Sequence, residues 1–303
     1  MKKKQYGSYG KKKNSVLKRA IALISMIVFC AALIVYAGWA YTKTGTIFPT
    51  EELFDGRPTI RFVDVGQGDC TLITYKGDAV LVDAGPAVRG EQTADYVRMY
   101  APGIDYFFVT HPHEDHMGGA ADILAKAHVR NLVIVDAAVG DEFYKNALKT
   151  AKKHGTNVIR LDSETEFDTP KGAIHIDILD AFGLDYDGYN DASLITKVTV
   201  GSTTVLIPGD AEREEEALIL WRTPDALDCD ILKVGHHGSN TSTSEKFLEA
   251  TSPKICVVSC GRNNSYGHPS PDVVQRIKDA GATLYRTDRQ GTVVLRGDIE
   301  KSE

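Results

Sequence analysis

Six of the nine histidines in this 303-residue chain crowd into three short loops, and each loop ends an apolar run that reads as a strand. The densest loop is Thr110-His-Pro-His-Glu-Asp-His-Met-Gly-Gly119. It follows Ile104-Asp-Tyr-Phe-Phe-Val-Thr110 and places His111, His113, Asp115 and His116 within six positions. A turn at a strand end projects neighbouring side chains to one side, so imidazoles and carboxylates can converge there without helical spacing. These are the ligand types suited to zinc, manganese and iron. A loop of solvated histidines would not explain three such clusters. The second cluster, Val234-Gly-His-His-Gly-Ser-Asn240, carries His236 and His237 after Cys229-Asp-Ile-Leu-Lys233. Adjacent side chains point to opposite sides of an extended chain, so one of the two is expected to be a ligand. The third, Tyr266-Gly-His-Pro269, carries His268. Pro208-Gly209-Asp210 ends Thr203-Thr-Val-Leu-Ile207, and an aspartate so placed can point into a cleft and bridge two cations.

From residue 58 onward, strands and helices follow in dense succession. TIRFVDV, DCTLITY and AVLVDAG read as three strands, with Tyr75-Lys76-Gly77-Asp78 turning one hairpin. Helices are expected at Gln92–Tyr100, Ala120–Ala127, Glu142–Lys153, Glu212–Trp221 and Glu245–Ala250. A last helix has Ser270 as cap, Pro271 at its first position and Gly281 past its end. Further strands lie between them, closing with TLYRTD and GTVVLRG. This alternation with many hairpins suits an α/β (α+β) fold of two facing mixed sheets covered by outer helices.

The chain's first segment reads differently. Ala20 to Thr42 is 23 residues without a charge, a helix roughly 34 Å long against a bilayer core of about 30 Å. Eight bases and no acid precede it, so the positive-inside rule keeps residues 1–19 in the cytoplasm and exports the remainder. A cleaved signal peptide ending near Gly38-Trp39-Ala40 is the competing reading, but the apolar run is longer than a usual signal core. The expected organisation is a basic tail (1–19), a signal-anchor helix (20–42), a linker (43–57) and one catalytic domain (58–303), in the cell membrane with a single span.

Without the tail, residues 43–303 carry 27 bases against 41 acids, a net charge of −14. Such a surface opposes non-specific attraction to a polyanion, which relies on Lys and Arg neutralising phosphates. The exported cysteines, Cys70, Cys229, Cys256 and Cys260, show no disulfide spacing and are expected as buried thiols. No protein partner is legible.

The motifs Phe62-Val-Asp-Val-Gly-Gln-Gly-Asp69, Leu81-Val-Asp-Ala-Gly85, the HxHxDH run, Pro-Gly-Asp210, Leu232-Lys-Val-Gly-His-His-Gly-Ser239 and Tyr266-Gly-His-Pro269 resemble the hydrolase domain of ComEC competence proteins. That domain is of the metallo-β-lactamase type, and the resemblance covers roughly residues 58–297. It implies an αββα sandwich with two divalent metal ions, Zn or Mn, at one edge. It also implies that His111 and His113 hold one ion, that Asp115 and His116 hold the other, and that Asp210 bridges them. By similarity to choline esterases of the superfamily, His237 completes the second site and His236 faces the substrate. Asp83 would support a ligand histidine. Many superfamily members add a third histidine to the first metal. Here only His128, His154 and His175 fall in that interval, the first two on expected helices, and Asn190-Asp191-Ala-Ser193 stands in its place. Asp191 is therefore a possible ligand or supporting acceptor, and more oxygen character brings manganese into competition with zinc.

Two such ions lower the pKa of a shared water toward about 7 and stabilise charge on the attacked group. Asp115 and Asp210 would orient the nucleophile, and His236 or His268 would donate a proton to the leaving group. Gln67, Asp69, Ser239 and Asn264 are expected to bind substrate. The expected activity is that of a phosphodiesterase or nuclease acting on a phosphodiester, DNA included. A cell-envelope phosphodiester and a carbonyl substrate (lactam or thioester) are the alternatives.

Overall fold

A computed structural model of the protein describes residues 56–135, 141–161, 163–180 and 189–299, with Ser25 and Met26. The chain divides into two units, Met1–Asp55 and Gly56–Glu303. No helix among the described residues is long and apolar enough to cross a membrane. The expected span, residues 20–42, lies outside the described residues but for Ser25 and Met26.

In the second unit the strands form two seven-stranded sheets. The first contains β1 (Thr59–Phe62), β2 (Thr71–Tyr75), β3 (Asp78–Val82), β4 (Gly103–Phe108), β5 (His128–Val135), β6 (Asn157–Leu161) and β14 (Val293–Arg296), in the order β14-β1-β2-β3-β4-β5-β6. The second contains β7 (Thr165–Asp168), β8 (Ile174–Asp180), β9 (Ile195–Val200), β10 (Thr203–Ile207), β11 (Ile231–Lys233), β12 (Ile255–Val258) and β13 (Thr283–Arg286), in the order β13-β12-β11-β10-β9-β8-β7.

Period-two alternation decides what each face meets. On β1, Ile60 and Phe62 enter the core between the sheets. Arg61, on the opposite face, is buried with its guanidinium 4.2 Å from the centre of the Tyr100 ring. On β3, Val80 and Val82 join the inter-sheet core while Ala79 and Leu81 pack outward. The outward faces are covered by helices. Those on the first sheet are α1 (Gly90–Tyr100), α3 (Ala120–Lys126) and α4 (Glu142–His154); those on the second are α5 (Arg213–Arg222), α6 (Glu245–Thr251) and α7 (Pro271–Asp279). The result is the expected αββα layering.

Two expectations are corrected, and one strand was not anticipated. His128 is not helical but opens β5, where it is exposed. The expected strand TLYRTD ends at Arg286, and a helical turn, α8 (Thr287–Gln290), follows. Strand β7, TEFD, was missed because it is a half-exposed edge strand with little apolar signal. Helix α7 starts and stops as expected, yet the Ser270 side chain makes no capping bond. All four described cysteines are free and buried.

Each sheet is parallel on one side: β3-β4-β5-β6 in the first and β10-β11-β12-β13 in the second. The carboxyl ends of such strands are where open α/β sheets place their sites. The turns after β3, β4, β10 and β11 are the ones that carry Asp83, the HxHxDH run, Asp210 and the paired histidines.

Candidate metal centre

Thr110, His111 and Pro112 leave β4 in an irregular stretch, and His113 is the extended N-cap of a single helical turn, α2 (Glu114–Met117). That turn swings Asp115 and His116 inward. The Asp64–Asp69 loop closes over it, with Asp69 N–H donating to the Asp115 carbonyl at 3.1 Å. Gly68, at φ +139°, is what permits the contact: a Cβ there would lie 2.4 Å from that carbonyl oxygen.

His116 is completely buried. Its Nδ1 is 2.8 Å from Asp83 Oδ2, while Asp83 Oδ1 accepts from Thr110 N–H at 2.8 Å. With Nδ1 so committed, Nε2 is turned toward Asp210 Oδ1 at 3.2 Å. Both of these buried atoms lack a hydrogen-bond partner. His237 repeats the arrangement. Its Nδ1 meets the Ser259 carbonyl at 3.0 Å, and Nε2 faces Asp115 Oδ2 at 3.1 Å and Asp210 Oδ2 at 3.4 Å. Alongside, His111 Nε2 and His113 Nδ1 face each other at 3.0 Å. The Ser193 hydroxyl lies 3.3 Å from His111 Nδ1 and accepts from Asp210 N–H at 3.0 Å. Buried, orphaned lone pairs aimed at one point are what a metal site needs, and supporting partners on the far nitrogens fix which lone pair is offered.

Asp69, His116, Asp210 and His237 also present ligand-type atoms within 4.8 Å of one another. Asp69 nevertheless sits on the wrong side of both rings: its oxygens approach His116 Nδ1 (3.8 Å) and His237 Nδ1 (3.5 Å), which are already bound elsewhere. Its nearest charge is the Lys233 ammonium, buried beneath the site. Of the two, Asp115 is the carboxylate that faces His237 Nε2, and Asp69 is the counter-ion of Lys233. This corrects Asp69 as a substrate-binding residue, since at 3% exposure it does not reach the cleft.

The charges follow from this packing. Burial lowers His116, but Asp210 and Asp83 outweigh it and raise it to about 10, so a metal bound at Nε2 would have to displace the proton the ring otherwise keeps there. Burial raises Asp115 and Asp69, yet each falls to about 2, Asp115 through His237 and His116 and Asp69 through Lys233 and His237. His111 is pushed well down, by burial first and by His116 next, so it is held in the neutral form that ligates. Burial, with His236 and His237 beside it, also lowers His268.

The paired histidines do not lie in an extended chain. His236 (φ 47°) and His237 (φ 53°) are both left-handed within the tight turn Gly235–Gly238. The two rings still diverge, because the turn buries His237 and leaves His236 partly exposed, its Nδ1 3.0 Å from Glu212 Oε1 and its Nε2 3.8 Å from Asp210 Oδ2. Asp83, at φ 62°, adds a third left-handed residue. Such conformations cost of order 1–3 kcal/mol each and persist where the surroundings over-determine them.

A cleft of about 610 Å³ opens over the cluster, lined by His113, Asp115, Asp210, His236, His237 and His268 among others. A family model, the metallo-beta-lactamase superfamily, matches residues 63–262. The chain belongs to the metallo-beta-lactamase superfamily. It is a metal-dependent hydrolase fold with a candidate metal centre, and members of this superfamily typically bind divalent metals, often two. The chain is 30% identical over 258 residues to ComE operon protein 3 of Bacillus subtilis, covering 78% of this chain and 33% of that one. It is 31% identical over 234 residues to Competence protein ComA of Neisseria gonorrhoeae, covering 76% and 31%. The chain thus spans about a third of the length of these relatives. Among solved structures, the metallo-beta-lactamase fold protein YhfI from Bacillus subtilis superposes with a TM-score of 0.55 at 13% identity, covering 79% of this chain and 100% of that one, a likeness of fold alone.

Two further substrate-binding expectations are corrected. Ser239 is buried, its hydroxyl 2.9 Å from Thr241 Oγ1, and Asn264 spends its side chain on Gly261 and His268 backbone; neither lines the cleft. Gln67 does line it, with Oε1 accepting from Gly261 N–H. Of the interval histidines, His154 ends α4 exposed, and His175 is held between Asp168 and Asp177, so none joins the site. Asn190 lines the cleft, whereas the Asp191 side chain lies outside what is described. Sequence reasoning missed Lys233. Its signal was present: a lysine inside the apolar strand ILK must be paired if buried.

Proposed function

We propose that this chain is a two-metal phosphodiesterase, anchored in the membrane by residues 20–42 and facing outward, with nucleic acid as the favoured substrate. The observation that supports this most is the pair of buried, orphaned ligand atoms, His116 Nε2 and Asp210 Oδ1, 3.2 Å apart. Asp115 and His237 would complete that site, and His111, His113 and a shared Asp210 the other. When bound, such ions supply Lewis-acid activation of water and stabilise charge on an attacked phosphoryl group.

This chain's own residues do the remainder. Asp83 and the Ser259 carbonyl keep the Nε2 lone pairs of His116 and His237 aimed inward. Asp210, carboxylate down to low pH because His116 and His237 outweigh its burial, orients the nucleophile. Glu212 fixes His236 so that Nε2 points into the cleft, where it can pass a proton to the leaving oxygen. Because burial keeps His268 below the ordinary histidine range, it suits hydrogen bonding to substrate more than proton delivery.

The similarity to a protein whose name places it in competence, Competence protein ComA, favours nucleic acid. The −14 charge of residues 43–303 favours a second reading, a smaller envelope phosphodiester. The test is digestion of labelled DNA by the purified chain loaded with Mn²⁺ or Zn²⁺, beside His113→Ala. Metal-dependent cleavage lost in the variant supports the nuclease reading. Turnover of a small chromogenic diester without DNA cleavage moves the assignment to the second reading, and turnover of neither rejects both.

A further inference from the structure

Among the described residues, few large apolar side chains are exposed, and two of them, Val88 (84%) and Tyr266 (70%), line the same cleft. They come from different sheets: Val88 from the turn after β3, Tyr266 from the loop after β12. Neither position needs an apolar residue for folding, since neither is covered.

Tyr266 is the outer member of an aromatic row. Its ring stacks on His268 (centroids 5.7 Å, planes 27° apart), and His268 abuts His236 edge-on at 5.8 Å. His236 in turn reaches toward Asp210. The row therefore runs from open solvent to the carboxylate expected to bridge the metals. Beside Val88 stands Arg89, the one Lys or Arg lining the cleft among the described residues. Arg89 also walls a neighbouring cavity of about 230 Å³ that includes Tyr96 and Gln92, so a chain leaving the cleft past Val88 enters a second hollow. Its guanidinium is oriented by Gln92 Oε1 at 3.0 Å.

We infer that this rim reads the substrate as a strand with free base faces, Tyr266 and Val88 gripping an unpaired base next to the scissile phosphate and Arg89 taking the adjacent phosphate. The inference rests on the phosphodiesterase reading above and specifies its substrate. In a duplex the base faces are buried in the stack and offer Tyr266 nothing, whereas a single strand presents one at every nucleotide. One arginine suffices beside the metals, and recognition by stacking relies less on basic side chains, which suits the net charge of −14 over residues 43–303.

The test compares the full-length chain, detergent-solubilised and Mn²⁺-loaded, with Tyr266→Ala, Tyr266→Phe and Arg89→Ala. Substrates are a labelled single-stranded oligonucleotide, its abasic counterpart of equal length, the duplex, and a small chromogenic phosphodiester. Loss of one stacked base is expected to raise KM about tenfold. Tyr266→Ala should show this on the single strand with kcat within about twofold, and Tyr266→Phe should restore it. The abasic strand should start with the raised KM and be indifferent to Tyr266→Ala. Arg89→Ala should raise KM for both strands alike. An unchanged KM in Tyr266→Ala, equal effects on the two strands, or a duplex cleaved as well as the single strand overturns the inference. Turnover of the small diester with no nucleic-acid cleavage overturns it too, while leaving a phosphodiesterase in place. Failure on every substrate rejects the phosphodiesterase itself.

Discussion

Asp83 offers the sharpest check on how the metal centre is built, because two substitutions there should rank in opposite orders. The wild-type carboxylate accepts from Thr110 N–H (2.8 Å) through Oδ1 and meets His116 Nδ1 (2.8 Å) through Oδ2. Asp83→Asn keeps an oxygen for Thr110 and tolerates φ 62°, as Asn does more readily than most residues. Its amide nitrogen, however, donates toward His116 Nδ1. The ring must then carry its proton on Nε2, the atom required as a bare lone pair. Loss of this kind of support costs ten- to a hundredfold in metal affinity, about 1.4–2.7 kcal/mol. Asp83→Ala frees the ring to take either tautomer, so it should lose less affinity. It leaves the buried Thr110 N–H without an acceptor, about 1–3 kcal/mol, and puts at φ 62° a residue that tolerates the left-handed region less well than Asp or Asn. The alanine variant should thus be the less stable in thermal melts, and the asparagine variant the weaker binder in competition with a chromophoric chelator. An asparagine variant that binds metal as tightly as the alanine one would refute the tautomer reasoning.

Other outcomes follow from the same geometry. Asp210→Asn should retain the fold by circular dichroism but lose metal at equilibrium dialysis and at least a hundredfold in kcat, because Asp210 faces His116 through one carboxylate oxygen and His237 through the other. Lys233→Met removes the nearest counter-charge of the buried Asp69 and should cost about 3–5 kcal/mol in denaturant unfolding, with much of it recovered in Lys233→Met/Asp69→Leu. Chelation should lower the melting temperature, since ligand at a hundred times Kd contributes about 2.7 kcal/mol; a melt insensitive to chelator would count against the site. Burial raises Glu216 above its ordinary 4.5 despite bonds from Ser244 and Thr243. The folded state then holds the proton longer than the unfolded one, so stability falls as pH rises from about 4.5 through the folded value. Glu216→Gln should lose that slope, and its stability relative to wild type should improve as pH rises; a difference that is flat with pH would contradict it.

The local code carried much of this protein. Alternation in TIRF and the continuous apolar run in DAVLV are enough to read strands, because one face of the first and both faces of the second meet an apolar layer. Histidines after strand ends announce metal chemistry, because few other uses need imidazoles and carboxylates so close in sequence. Strand β7 and helical turn α8 were not legible: their residues are half-exposed and are held by neighbours rather than by their own pattern.

What only tertiary structure decided was which atom of each residue does what. Asp69, Asp83, Asp115 and Asp210 look alike in sequence. They part company because Lys233 rises beneath Asp69, Thr110 and His116 engage Asp83, and Asp115 and Asp210 face the open lone pairs of His116 and His237. These partners lie up to 164 positions away along the chain, as Lys233 does from Asp69. Periodicity reports only the face a residue presents. A side chain's charge and role are set by the groups that folding places within about 4 Å of it, where Coulomb and hydrogen-bond terms become strong.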